Sequence, residues 1–210
     1  RYFHRRVAEA IENLLPSSME DKAGQLAWHF AEAGEPNRAA SYARMAGKQA
    51  MKLAAWHEAI EYFKMALQSQ DDLKSEKDWQ DLAEAHAKAG EFAQSTDAYR
   101  EAISLAVKHT GSSSDGNVSE LRLAMARSML PLGRYQEVIQ IAQQVCAKSG
   151  PESVLTAELI WGTALSLDGS DLVAAQEHLR TAEELWRQTP GLPVSSLAQI
   201  LFESGSVAAQ

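Results

Sequence analysis

Around five short turns, centred on Gly34, Ala54, Gly90, Gly133 and Gly169, the chain repeats one set of small and bulky residues. The offsets run at three and four spacing on both sides of each turn, the period of a helix face. Before Gly90 stand Trp79, Leu82, Ala83 and His86, and after it Phe92, Ser95, Tyr99 and Ala102. Gly34 is flanked by Ala23, Leu26, Ala27 and Phe30, then Ala39, Ala43 and Ala46; Ala54 by Ala43, Ala46, Gly47 and Ala50, then Trp56, Ala59, Phe63 and Ala66. Met125, Ala126 and Met129 precede Gly133, and Tyr135, Val138, Ala142 and Val145 follow it. Trp161, Gly162 and Leu165 precede Gly169, with Ala175, Leu179 and Ala182 after it, one residue late. One helical hairpin cannot bury such a face alone, so several must stack.

The 35 Ala against 22 Val, Ile and Thr combined favour helix, where Ala loses no side-chain entropy and β-branched residues lose χ1 freedom. Pro16 with Ser17 and Ser18, "TGSSSDGN" at 110–117, "SGP" at 149–151, "DGSD" at 168–171 and "TPGLP" at 189–193 add further breaks. The pieces between them predict about eleven helices in antiparallel hairpins, an all-α protein with a flexible loop at 110–117. Gly34 and Gly150 suit left-handed helix stops, and Pro36 and Pro151 the first turns that follow.

These residues resemble the tetratricopeptide (TPR) repeat, a 34-residue helical hairpin with Trp-Leu-Gly-Tyr positions on its first helix and Ala, Phe and Ala on its second. The closing Ala or Val falls at 46, 66, 102, 145 and 182, so the intervals are 20, 36, 43 and 37. The short interval implies that residues 36 to 53 serve two hairpins at once. The resemblance implies one α-solenoid domain over 1–210, a right-handed superhelix of irregular pitch. Helices approach closely where one offers a small residue to the other's bulk. Gly47, Ala83, Ala126 and Gly162 are therefore expected as holes, and Phe63, Tyr99 and Leu179 as knobs.

The segments "RYFHRRVAEAIENLL" and "DKAGQLAWHFAEAGEPNRAASYARMAGKQAMKLAAWHEAIEYFKMAL" resemble the helical array that follows the nucleotide-binding core of bacterial STAND and AAA-type regulators. Such regulators include LuxR-family activators of the MalT kind, AfsR-type activators, and ATPase-linked cyclases or kinases. That resemblance implies an array sensing an inducer or partner and restraining an attached ATPase. With its start at Arg1 and its end inside "ESGSVAAQ", the chain reads as a fragment of a larger protein.

A net charge of −8 opposes direct nucleic-acid binding, which needs a basic face against phosphates. The single Cys146 cannot form an internal disulfide, and no apolar stretch nears the length of a membrane span, so a cytoplasmic location is expected. The chain carries neither a phosphate loop nor a dinucleotide turn. His4, His29, His57, His86, His109 and His178 show no metal-ligand spacing, and "HEAIE" at 57–61 lacks the second His of a zinc protease. Beside the core residue Val145, Cys146 reads as a packed thiol, and His86 as a buried or half-buried repeat residue. "NVS" at 117–119 reads as loop. No enzyme activity, cofactor or metal is expected.

Trp56, Trp79 and Trp161 fall on packing positions, Trp186 near a helix end, and Trp28 beside the small residue of its helix, toward the concave groove of such arrays. By register the groove is lined by Trp28, Arg44, Lys48, Gln80, Glu84, Lys88, Leu123, Arg127, Leu159 and Thr163. This mixture suits a peptide, a partner helix or another domain of the same chain. An inducer-binding site, a structural spacer and a self-associating module are the competing readings. The asparagines Asn13, Asn37 and Asn117 lie off the groove positions, which excludes a terminal-carboxylate clamp. The basic cluster Arg1, Arg5 and Arg6 reads as a solvated or domain-docking surface.

Overall fold

The computed structural model of the chain describes residues 1–14, 19–69, 75–111 and 116–209. Pro16, Ser17 and Ser18, and residues 112–115 of the loop expected at 110–117, lie outside the described residues. Thr110 ends one helix and Gly116 opens the next, so the loop is shorter than expected and Asn117, Val118 and Ser119 are helical. The described residues form eleven α-helices and no strand: α1 Tyr2–Leu14, α2 Ala23–Ala33, α3 Pro36–Lys52, α4 Trp56–Ala66, α5 Glu76–Lys88, α6 Phe92–Thr110, α7 Gly116–Met129, α8 Tyr135–Cys146, α9 Pro151–Asp168, α10 Leu172–Gln188 and α11 Val194–Ala208. Leu130–Leu132 adds one 3₁₀ turn. The chain divides into two compact units, Arg1–Ala102 and Ile103–Gln210, the division falling inside α6.

All five turns read from the repeat have a central residue in the left-handed region: Gly34 (φ 81°), Ala54 (φ 56°), Gly90 (φ 79°), Gly133 (φ 69°) and Gly169 (φ 68°). A left-handed residue after a helix lets the next backbone N–H groups return to its last carbonyls, as Gly34 and Glu35 do to Ala31 and Phe30. Glycine enters that region without a Cβ clash; Ala54 does so at a cost. Gly150 departs from expectation. Its φ of −75° and ψ of 171° make it the extended residue that opens α9, with Pro151 at the first helical position. Ser75 caps α5 through a reciprocal pair with Asp78, and the Asp171 side chain accepts from Ala174 N–H at the start of α10.

In the first unit α3 packs on both α2 and α4, as the helix shared by two hairpins must. Phe63 of α4 enters the notch at Gly47, where an added Cβ would lie 2.5 Å from the ring. Ala83 and Tyr99 are buried. Ala8, Leu26, Phe30 and Ala39 close a second core, with Tyr42 stacked on Phe30 at 5.6 Å and the Arg38 guanidinium 3.9 Å above that ring.

The second unit repeats the device. At Gly162 a Cβ would meet Leu179 Cγ at 2.7 Å and the Ala175 carbonyl oxygen at 2.9 Å. Ala126 is fully buried in the α7–α8–α9 core with Leu123, Met129, Val138 and Ile160. Leu155 and Leu159 join Leu179, Ile200 and Val207 in the α9–α10–α11 core. Trp56, Trp79 and Trp161 are half-buried, less enclosed than a core position predicts. The indole is too large to disappear between two closely packed helices, and Trp161 lies flat on His178 with ring centroids 3.9 Å apart.

Candidate functional site

In the first unit the helices that open hairpins bring several of the register-predicted residues together. Lys48 and Glu84 line one open cavity of about 250 Å³, with Met51, Lys52, Phe63 and Asp81. Phe63 supplies an apolar wall because the glycine notch fixes its ring, while Lys48 and Lys52 share a face one turn apart on α3. Lys77 holds Asp81 at 3.0 Å from the same helix. Lys48, Lys52 and Glu84 form no ion pair among the described residues. The cavity thus has an apolar wall with cations on one side and a carboxylate on the other.

Arg44, one turn before Lys48, has a different task. Its Nε and Nη2 donate to Asp78 Oδ1 and Oδ2 at 2.6 and 2.9 Å, a two-pronged link from α3 to α5. Burial alone would push the Asp78 carboxyl up. The two Arg44 donors and the Ser75 backbone N–H, at 3.0 Å, hold it below the ordinary carboxylate range. Register places Arg44 in the groove but gives no sign of its partner, 34 residues away.

Gln80 is half-buried and Lys88 exposed. Trp28 is 50 % exposed, and its ring meets His4 and His29 edge-on at 4.9 and 4.8 Å. Those two histidines, far apart in sequence, meet Nδ1 to Nδ1 at 3.1 Å across α1 and α2. Ring centroids 5.2 Å apart place the two nitrogens nearly in line, the geometry of an N–H···N hydrogen bond. Burial and then the neighbouring His4 lower the pKa of His29.

In the second unit Leu123 and Arg127 line a depression of about 330 Å³ with Glu120, Ala124, Glu152 and Thr156. Leu123 and Leu159 are each 3 % exposed, so both serve the cores more than any surface. Thr163 donates its hydroxyl to the Leu159 carbonyl at 2.8 Å. A larger depression, about 470 Å³, is lined by Val173, Gln176, Glu177, Arg180, Glu183 and Ser204, none of which the register places in a groove.

Among the described residues no three His, Cys, Asp or Glu side chains are grouped to hold a metal ion, and no helix is long and apolar enough to cross a membrane. Cys146 shares the Glu158 carboxylate with His178, at 3.5 Å for the thiol and 2.6 Å for the imidazole. Burial, and then Glu158, push the thiol pKa up to about 12, which leaves Cys146 a protonated packing residue. His86 is buried, its Nδ1 2.6 Å from Glu91.

No family model and no curated protein matches the sequence. Solved structures do resemble the fold. BtubC (BKLC) from P. vanneervenii superposes with a TM-score of 0.64 at 16 % identity, over 92 % of this chain and 80 % of its own. The nearly identical TPR-like repeats of a Podosopora anserina kinesin light chain-like protein give 0.61 at 18 % identity, over 83 % and 89 %. A singly substituted form of such repeats gives 0.51 at 15 % identity, over 92 % and 89 %. The chain has the fold of a TPR-like helical repeat.

Proposed function

We propose that the chain is a protein-recognition module that takes a peptide or partner helix on the faces of its hairpin-opening helices. The cavity between α3 and α5 carries this reading. It sets Lys48, Lys52 and Glu84, which form no ion pair among the described residues, around the apolar Met51 and Phe63, and recognition of a side chain with flanking charges needs that mixture. The resemblance of the first 70 residues to regulator arrays supplies the setting, a cytoplasmic bacterial signalling or transcription-regulatory protein. Catalysis has no part in this reading.

The test is capture on a peptide array, followed by fluorescence polarisation with the best binders. Lys48→Ala with Glu84→Ala is expected to weaken binding at least about tenfold, the effect of losing about 1.4 kcal/mol. The thermal midpoint should not move, because both side chains are exposed. Full-strength binding by the double variant would remove the site, and an array that captures nothing would remove the function. An inducer-sensing domain is the second reading, favoured by the apolar wall that Met51 and Phe63 give the same cavity. A metabolite that raises the melting temperature of the wild type but not of Phe63→Ala would support it.

A further inference from the structure

α11 repeats the register of α9. In α9, helix positions 7 and 14 are Ala157 and Ala164, which pack in the core toward the preceding helices; in α11 the same positions are Ile200 and Val207, also buried. Positions 5, 9 and 12 of α9, Leu155, Leu159 and Gly162, receive the next helix, with Leu179 seated at the glycine. Gly47 is likewise position 12 of α3 and takes Phe63. In α11 positions 5, 9 and 12 are Ala198, Phe202 and Gly205. All three are exposed, Phe202 at 73 %, and nothing lies within 4 Å of a Cβ built at Gly205. α11 therefore presents a notch of the same design, with no knob in it.

A second copy of the chain carries a matching stripe. The helices that fill notches place apolar residues at four and three spacing: Ala59–Phe63–Ala66 on α4 and Ala175–Leu179–Ala182 on α10. α1 has Phe3, Val7 and Ala10 at the same spacing on its solvent face, with Phe3 78 % and Val7 41 % exposed, while its opposite face, at Ala8, is buried on α2 and α3. Charge agrees with shape. The entry to α1 holds Arg1 and Arg6, with Arg5 already paired to Glu35 and no carboxylate in the first turn, whereas the only charged residue of α11 is Glu203, which forms no ion pair among the described residues.

We propose that α1 of one copy docks on the bare face of α11 of another, with Val7 at the Gly205 notch, in a head-to-tail contact between copies of this chain. The contact joins two different surfaces, so each copy keeps one free face and association can continue beyond a dimer. It is separate from the α3–α5 cavity, and the cavity variants leave it untouched.

Light-scattering mass across a concentration series, on three samples, tests the proposal. Wild type is expected to rise from its monomer mass of 23.0 kDa with concentration. Val7→Glu alone and Gly205→Arg alone are expected to stay monomeric, since each loses one of the two faces. Mixed in equal amounts, they are expected to form a dimer and stop there, because each supplies the face the other lacks. A wild type that stays monomeric at all concentrations, a single variant that associates like wild type, or a mixture that remains monomeric would each overturn the contact. Should either variant lose its helical signal, Phe3→Glu and Phe202→Glu ask the same question from exposed positions.

Discussion

Replacing Gly162 with Ala pits two effects of opposite sign against each other in one residue. In a helix interior the change from Gly to Ala favours folding by up to about 1 kcal/mol. Against this, the new Cβ would lie 2.7 Å from Leu179 Cγ and 2.9 Å from the Ala175 carbonyl oxygen. Leu179 and Ala175 are both fully buried, and a carbonyl in a helix cannot withdraw without bending α10. Overpacking of this kind costs about 1 to 3 kcal/mol. The backbone contact puts Gly162 toward the upper end, for a net loss of about 1 to 2 kcal/mol. Gly205→Ala is the internal control, since it lies in the same compact unit with open space at its Cβ, and it should gain up to about 1 kcal/mol. Urea unfolding followed by circular dichroism, at a concentration where the chain is monomeric, reads both changes as midpoint shifts of opposite direction. If Gly162→Ala were stabilised as much as Gly205→Ala, the notch would not hold α9 against α10 and the packing rule drawn from it would fail.

Ala54→Gly should stabilise the first unit by about 1 kcal/mol, because an L-residue in the left-handed region costs roughly 1 to 2 kcal/mol and glycine's greater unfolded entropy returns part of it; a lower melting temperature would contradict the strain at φ 56°. Asp78→Asn should cost about 2 to 3 kcal/mol, since it leaves Arg44 with half a partner and removes the charge from the α5 cap. Because the folded pKa of Asp78 is depressed, its contribution is present above the unfolded value near about 4 and is lost as pH falls through the folded one. Wild-type stability should therefore fall on acidification with a slope that Asp78→Asn lacks, and equal slopes would refute the assignment. Cys146 should react with iodoacetamide at neutral pH on the order of a thousandfold more slowly than the unfolded chain, from its smaller thiolate fraction; equal rates would show the thiol to be ionised.

Local rules make the repeat legible, and those rules act over a few residues. A residue that ends a helix must turn left-handed within one position, so the glycines of the five turns announce themselves, and Ala54 follows from the offsets around it. The Gly47–Phe63 and Gly162–Leu179 contacts are also readable, because a notch and its knob lie on consecutive helices whose register the turn fixes. Gly150 misleads for a related reason. Before a proline, a glycine can end one helix or open the next, and only its torsion angles decide.

The candidate site is legible in outline and not in its electrostatics. Register can place Arg44, Lys48 and Glu84 on helix faces, since it reports which way a side chain leaves its helix. It cannot say which cation an anion 34 residues away will claim, and Asp78 claims Arg44 while Lys48 forms no ion pair among the described residues. That choice rests on distance: Asp78 lies in the first turn of α5, level with Arg44, whereas Glu84 lies almost two turns further along the same helix. A groove residue one turn from its neighbour can thus be structural while the neighbour stays open to a partner. The same reasoning separates the leucines from the lysines, because Leu123 and Leu159 gain more from burial between helices than a surface could return. In a stack of hairpins the residues open to a partner are those that neither a knob nor an ion pair has already used, and among the described residues of the first unit Lys48, Lys52 and Glu84 gather in this way around one cavity.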